Sequence, residues 1–256
     1  MAKLKHEDKF LDFSDYGRPL AILIADGLKS TRLTPIHITL LFGVSGLIAI
    51  YCILKDHYYF AGLFLILKSI LDAADGELAR LKKTPSYTGR YLDSVFDLIL
   101  NLGFLLAICF ISNSNLIFAL LAFIAVEMQG TLYNYYYVIL RNKLVGGDTT
   151  SKIFELNPPC AYPYENQKSV NILFYVYNFF YKFFDKPIYL LDKDACIAQP
   201  FPKWFMTLVS IYGLGFQLLI ISAMLSLNLI DFIIPFFICY SFFIFVIVGI
   251  RRTFLK

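Results

Sequence analysis

Four aspartates carry the chemistry legible in this sequence. Asp72 and Asp75 are three residues apart, and Asp93 and Asp97 are four apart. On helices, either spacing puts the pair on one face. A turn between the two pairs folds the second helix back beside the first, so the two faces meet and four carboxylates converge. Their flanks are apolar, and an aspartate at mid-bilayer costs about 2.5–3.5 kcal/mol, less near the interface. Crowded carboxylates also repel one another, so they take up protons or bind cations. Hard divalent cations with oxygen ligands are the natural partner, and Mg²⁺ or Mn²⁺ suits a site that handles phosphate. Two such ions about 3.5–4 Å apart clamp a transferring phosphoryl group. The plain alternative, a solvated acidic rim at a helix end, fits poorly with flanks this apolar.

The neighbouring residues suit the same chemistry. Gly76 and Ala79 remove side-chain bulk so that a flat group can approach, and Gly89 does so at the start of the second helix. Arg80 offers a planar fork for phosphate oxygens. Ser86 is either a further hydrogen-bond donor or a plain turn serine. Lys68, one turn before Asp72, either binds substrate phosphate or is a counter-ion to the acidic cluster. Glu127 and Gln129 lie in a later apolar stretch; they line an acceptor pocket or simply bond between helices. His37 is a lone histidine with a structural reading. Gly146-Gly147-Asp148-Thr149-Thr150-Ser151 lacks the lysine of a phosphate-binding loop and reads as an ordinary loop. The five cysteines show no C-x-x-C spacing and read as small hydrophobes.

The elements that hold these residues belong to a membrane. Of 256 residues, 58% are hydrophobic and only 16% charged, against about 25% in soluble domains. That excludes disordered, collagen-like and disulfide-framework chains and argues against a soluble enzyme. Six spans are expected: Ile38–Leu54, Tyr58–Leu71, Tyr91–Ile111, Leu116–Leu140, Trp204–Leu227 and Leu229–Ile250. Six spans put both termini on one side. Of the 23 Lys and Arg residues, all but Lys55 and Lys68 then fall on that side, which is therefore cytoplasmic. The active site faces the same way, in a cytoplasmic (inner) membrane. Met1 to Asp15 is polar and mixed in charge, unlike a cleavable signal peptide. Phe10, Phe13, Tyr16, Leu20, Leu23 and Ile24 recur at helical spacing and predict an amphipathic helix in the membrane interface. The proline-rich, charged segment Asn142–Lys203 is a cytoplasmic insertion whose aromatic stretch, Leu173–Phe184, forms an interfacial helix or a small cap. The expected architecture is thus a single all-α polytopic membrane domain over residues 1–256: an N-terminal arm and interfacial helix (1–36), four spans carrying the motif (38–140), the insertion (142–203) and two last spans (204–250).

From Asp72 to Asp97 the sequence reads D-x2-D-G-x2-A-R-x8-G-x3-D-x3-D. At every fixed position it resembles the signature of the CDP-alcohol phosphotransferase (CDP-alcohol phosphatidyltransferase) family. The six-span layout with an N-terminal interfacial helix is similar to that family too. The resemblance implies a homodimeric membrane enzyme of phospholipid biosynthesis. It would displace CMP from a CDP-alcohol, CDP-diacylglycerol foremost, by a hydroxyl acceptor. It further implies that Asp72, Asp75 and Asp93 hold metal and that Asp97 completes a second metal site and acts as general base. Gly76, Ala79 and Gly89 would line the cytidine and diphosphate pocket, with Arg80 on phosphate and Ser86 nearby. One departure stands out: family members often carry Pro-Asn before the first span, where this chain has Pro35-Ile36-His37.

Two rival readings are weaker. A polyprenyl-diphosphate transferase also holds Mg²⁺-diphosphate on aspartates, but with D-D-x-x-D-like clusters and more spans. A cation transporter predicts broken spans or inverted repeats, and neither is evident. Nucleic acid is not an expected partner. The acceptor itself stays open among glycerol phosphate, inositol phosphate, inositol, serine and a lipid hydroxyl. Phosphorylated acceptors call for cations, and the later spans offer these only at their cytoplasmic ends, at Arg141, Lys143, Lys203 and Arg251.

Overall fold

The computed structural model describes residues 4, 6–145 and 155–255. The Gly146–Ser151 stretch lies outside these residues. Ten α-helices make the architecture, and no strand occurs among the described residues. They are α1 (Arg18–Leu28), α2 (Pro35–Leu54), α3 (Tyr58–Leu81), α4 (Tyr87–Ile111), α5 (Leu116–Val145), α6 (Gln167–Leu191), α7 (Lys203–Val209), α8 (Leu214–Ser226), α9 (Ile230–Tyr240) and α10 (Phe243–Phe254).

Among the described residues, four segments are long and apolar enough to cross a membrane: Pro35–Leu54, Tyr87–Ile111, Leu116–Leu144 and Ile230–Phe254. The pair Lys203–Tyr212 and Leu214–Ser226, bent by 51°, brings the number to five if it counts as one span. The bend falls at Gly213, after a short 3-10 turn at Ser210–Tyr212. The sixth expected span is part of α3, a 24-residue helix. Its apolar first half runs without a break into the charged motif, so its whole length is less apolar than the others.

The bundle core joins α2, α3, α4, α5, α8 and α9 through residues such as Phe42, Leu65, Phe104, Val126, Ile221 and Phe237. Helices α2 and α4 approach closely at glycine: a Cβ on Gly46 would sit 2.6 Å from the Leu100 side chain, and one on Gly43 2.8 Å from Phe96. This contact brings Asp97, one turn from Leu100, back toward α3.

Two segments differ from the sequence reading. The N-terminal helix begins only at Arg18, because Pro19 is favoured in a first helical turn; Phe13–Asp15 is a separate 3-10 turn. Its buried face is not the large apolar set but Ala21 and Ala25, packed against Ile38, Ala74 and Leu78. Leu20 and Leu23 stay exposed, as an interfacial helix requires. In the insertion, the aromatic stretch extends to a helix of 25 residues that continues through Pro187. Helix α6 packs on α4 and α5 and exposes Ile172, Tyr175, Phe179 and Phe183 at helical spacing on its other face. All five cysteines are free thiols.

Candidate active site

Helix α3 delivers Lys68, Asp72, Asp75, Gly76, Ala79 and Arg80, and α4 delivers Asp93 and Asp97. The turn between them is short because α3 ends in a Schellman-type closure. Lys83 takes a left-handed conformation, φ 54°, and Thr84 N donates to Ala79 O at 3.0 Å. Ser86 then caps α4, its hydroxyl accepting from Gly89 N at 2.8 Å. The reversal sets the two aspartate pairs face to face.

Asp72, Asp75 and Asp93 each offer one oxygen, and these oxygens lie within 4.8 Å of one another. Thr39 Oγ1 donates to Asp75 Oδ2 at 2.6 Å, fixing that carboxylate. Asp93 Oδ1 is buried with no hydrogen-bond partner, a costly arrangement unless something positive meets it. Three converging carboxylates with an orphaned buried oxygen among them fit a hard divalent cation.

Asp97 lies outside that trio. Its Oδ1 accepts a short hydrogen bond from Lys68 Nζ, which also stands 3.7 Å from Asp72 Oδ2. Lys68 is completely buried and its ammonium lies 4.8 Å from the Phe42 ring centroid. Of its two sequence readings, the counter-ion is the one that these contacts match. Glu127 accepts from Asn101 Nδ2 at 2.9 Å and also lines the cavity. Gln129 is purely interhelical, donating to Phe237 O at 3.1 Å and accepting from Gln217 at 3.0 Å.

The remaining motif residues line a cavity of about 660 Å³. Gly76, Ala79, Arg80, Ser86 and Gly89 all line it, together with the four aspartates. Arg80 is oriented by Glu77, with Nη2 3.1 Å from Oε1. Glu77 also receives Arg18 Nη1 at 2.6 Å, and Arg18 Nε reaches Asp15 Oδ2 at 2.6 Å. Arg18 therefore keeps its charge: burial opposes it, but Asp15 and Glu77 more than offset this and raise its pKa.

Several functional neighbours were not legible as such in the sequence. Glu165, from the insertion, accepts from Ser86 Oγ at 2.8 Å, Thr88 N at 2.7 Å, Tyr87 N at 3.2 Å and Tyr162 N at 3.2 Å. Burial raises its pKa, but these donors prevail and hold the carboxyl below the ordinary glutamate value. Glu155 takes Arg90 Nη2 at 2.5 Å and Tyr91 OH at 2.6 Å. Tyr177, Tyr181 and Asp185 of α6 line the cavity. Charge inside an aromatic run, at Asp185, was the available signal; Glu77 was a free position of the motif.

The cations at the helix ends have mostly structural partners. Lys143 donates to Ala195 O at 3.3 Å and to Ala198 O, and Arg251 pairs with Asp192. Arg141 is buried, its Nε and Nη2 without partners, and its guanidinium lies 5.8 Å from the Tyr137 ring centroid; it is not part of the cavity lining. His37 is structural: its Nδ1 accepts from Thr34 N at 3.1 Å and closes a capping box on α2.

Residues 32–155, just under half of the chain, match the family described as CDP-alcohol phosphatidyltransferase. No curated protein matches the chain. The matched stretch holds every motif residue on α3 and α4, and the family implies phosphotransferase activity in a membrane.

Proposed function

Because residues 32–155 match the CDP-alcohol phosphatidyltransferase family, we propose that the protein moves a phosphatidyl group from CDP-diacylglycerol to a hydroxyl acceptor and releases CMP, in phospholipid biosynthesis. The observation that carries this reading is the meeting of two aspartate pairs in one cavity that Gly76, Ala79, Arg80, Ser86 and Gly89 also line. Gly76, Ala79 and Gly89 leave room for cytidine and the diphosphate. A Cβ on Gly76 would find only Arg80, at 3.6 Å, so the space beside it is open to ligand. Arg80, steadied by Glu77, offers its fork to a phosphate oxygen. Asp72, Asp75 and Asp93 are the residues that would hold Mg²⁺ or Mn²⁺. Asp97 completes the second site implied for the family. Bound there, the cation supplies charge neutralisation to the diphosphate.

Asp97 is the general base. The acceptor hydroxyl oxygen attacks the phosphorus that bears the diacylglycerol, its proton passes to Asp97, and the bond from that phosphorus to the CMP oxygen breaks. CMP leaves with the bonding electron pair. Lys68 holds the carboxylate in place and Glu127 faces the acceptor. Six membrane crossings, with α3 as the second, both termini cytoplasmic, a single domain and a homodimer complete the proposal.

The test is CMP release by purified protein with CDP-diacylglycerol, with inositol, serine, glycerol phosphate and inositol phosphate as acceptors, and Mg²⁺, Mn²⁺ or EDTA. Acceptor-dependent release that EDTA abolishes supports the reading. No release with any acceptor removes CDP-diacylglycerol as donor, and EDTA-resistant release removes the metal.

A further inference from the structure

We propose that helix α6 of the insertion is the acceptor-selecting wall of the active site, and that it selects an unphosphorylated acceptor rich in hydrogen-bond donors, a polyol or an amino alcohol. The inference rests on the phosphotransferase reading above and concerns residues beyond the stretch that matches the family.

A base must face the hydroxyl it deprotonates, so the acceptor lies on the Asp97 side of the cavity. Helix α6 closes that side. Tyr181 OH donates to Ser94 O at 3.0 Å, one residue past Asp93 and one turn before Asp97. Tyr177 stacks on Tyr181 with ring centroids 4.5 Å apart, and Asp185 follows one turn later on the same face. All three line the cavity.

Three polar groups of the lining, on Tyr181, Glu127 and Asp185, offer acceptors. The single Tyr181 proton is spent on Ser94 O, which leaves its oxygen to accept. Glu127 receives Asn101 on Oε1, and its second oxygen is available. Asp185 accepts no hydrogen bond from a described residue and forms no ion pair with one. Burial, with Glu155 adding to it, raises its carboxyl to about 7, the mark of a carboxylate lacking a donor. Of the cations that line the cavity, Arg80 serves the donor diphosphate in the reading above, Arg18 pairs with Asp15 and Glu77, and Arg90 pairs with Glu155. Lys9 is exposed, and Arg141 does not line the cavity. A phosphate beside Glu127 and Asp185 would meet two carboxylates, with Lys9 the one lining cation that pairs with no described residue. Hydroxyl or ammonium donors would satisfy Glu127, Tyr181 and Asp185 together.

The experiment is steady-state CMP release by the full chain in mixed micelles, with KM measured separately for CDP-diacylglycerol and for inositol, serine and glycerol phosphate. The variants are Asp185→Asn and Tyr181→Phe. Asp185→Asn removes a buried charge and keeps the shape, so it should fold; thermal midpoints check both. For whichever of inositol and serine the wild type uses, acceptor KM should rise about 10-fold or more in Asp185→Asn and about 3- to 10-fold in Tyr181→Phe. Donor KM and kcat should stay within about 2-fold, a split that separates acceptor binding from general damage. Inositol as the acceptor identifies hydroxyls as the recognised donors; serine identifies an ammonium. Preference for glycerol phosphate, a change in donor KM, or unchanged acceptor KM in folded variants would overturn the inference. Absence of CMP release by the wild type would instead overturn the reaction on which it rests.

Discussion

Removing the Glu165 side chain tests how the insertion is fastened to the motif. This carboxylate accepts from the hydroxyl of Ser86, from the first two backbone N–H groups of α4 and from Tyr162 N. Hydrogen bonds to a charged group contribute about 1.5–3 kcal/mol each in isolation, and a negative charge at a helix N-terminus adds about 0.3–1 kcal/mol. The four share one half-buried acceptor, and water can replace part of what is lost. A net loss of about 2–3 kcal/mol for Glu165→Ala follows, and about half of that for Glu165→Gln, which keeps one carbonyl oxygen. The loss is local. Tyr87 still stacks on Tyr162 at 5.0 Å, and Glu155 still holds Arg90 and Tyr91. Amide hydrogen exchange read by mass spectrometry should therefore speed up about 30- to 150-fold in peptides covering 84–90 and 155–166. Peptides from α2 and α9 should not change. Because the released Ser86 no longer has a fixed rotamer, KM for the CDP donor should rise as well. Unchanged exchange in both peptides would refute the idea that this carboxylate latches the insertion to α4.

Three further outcomes follow from the same contacts. Gly76→Ala should leave the thermal midpoint unchanged, since the added methyl meets nothing nearer than Arg80 at 3.6 Å, yet raise donor KM in the CMP-release assay by intruding on the ligand's space. Gly215→Ala should do the reverse: its Cβ would lie 1.9 Å from Ser14 O, so the N-terminal arm must shift at a cost of about 1–3 kcal/mol, read as a lower midpoint in detergent. The two insertion carboxyls should respond to pH with opposite signs. The stability that Glu165 contributes is present above the ordinary value of 4.5 and lost as pH falls through its lowered folded value. The preference for protonated Asp185 stabilises below 3.8 and is lost as pH rises through about 7. Asp185→Asn should accordingly gain stability relative to wild type between pH 5 and 8, and Glu165→Gln should lose its deficit below pH 4, both followed by thermal midpoint.

The motif side of the site was legible because spacing on two helices and one short turn determines it. Asp72, Asp75, Asp93, Gly76, Ala79, Arg80, Ser86 and Gly89 lie in one local unit, and the cavity gathers all of them. Contacts between distant segments were not legible. Thr39 reaches Asp75 across 36 positions, and Glu165 reaches Ser86 across 79; nothing in local pattern announces either. The role of Lys68 was left between two readings because one turn of separation from Asp72 allowed both, and only the return of α4 brings Asp97 to it. The same limit applied to α6. Its aromatic run announces an apolar face, but with one apolar face exposed and another on α4 and α5, the pattern could not show that Tyr181 and Asp185 line the cavity. At the N-terminus the large apolar residues outweighed Ala21 and Ala25, although small residues are what allow α1 to lie against α3.

The central claim is that Asp97 takes the acceptor proton in a cation-binding carboxylate cluster. Its most direct test is CMP release from CDP-diacylglycerol by wild type and Asp97→Asn side by side, with saturating acceptor and Mg²⁺ or Mn²⁺. Asparagine keeps the shape and a hydrogen-bonding oxygen but cannot serve as the base. A folded variant with a rate lower by about 10²–10⁴-fold is the result predicted. A folded variant that releases CMP at the wild-type rate would contradict the assignment of Asp97 as base.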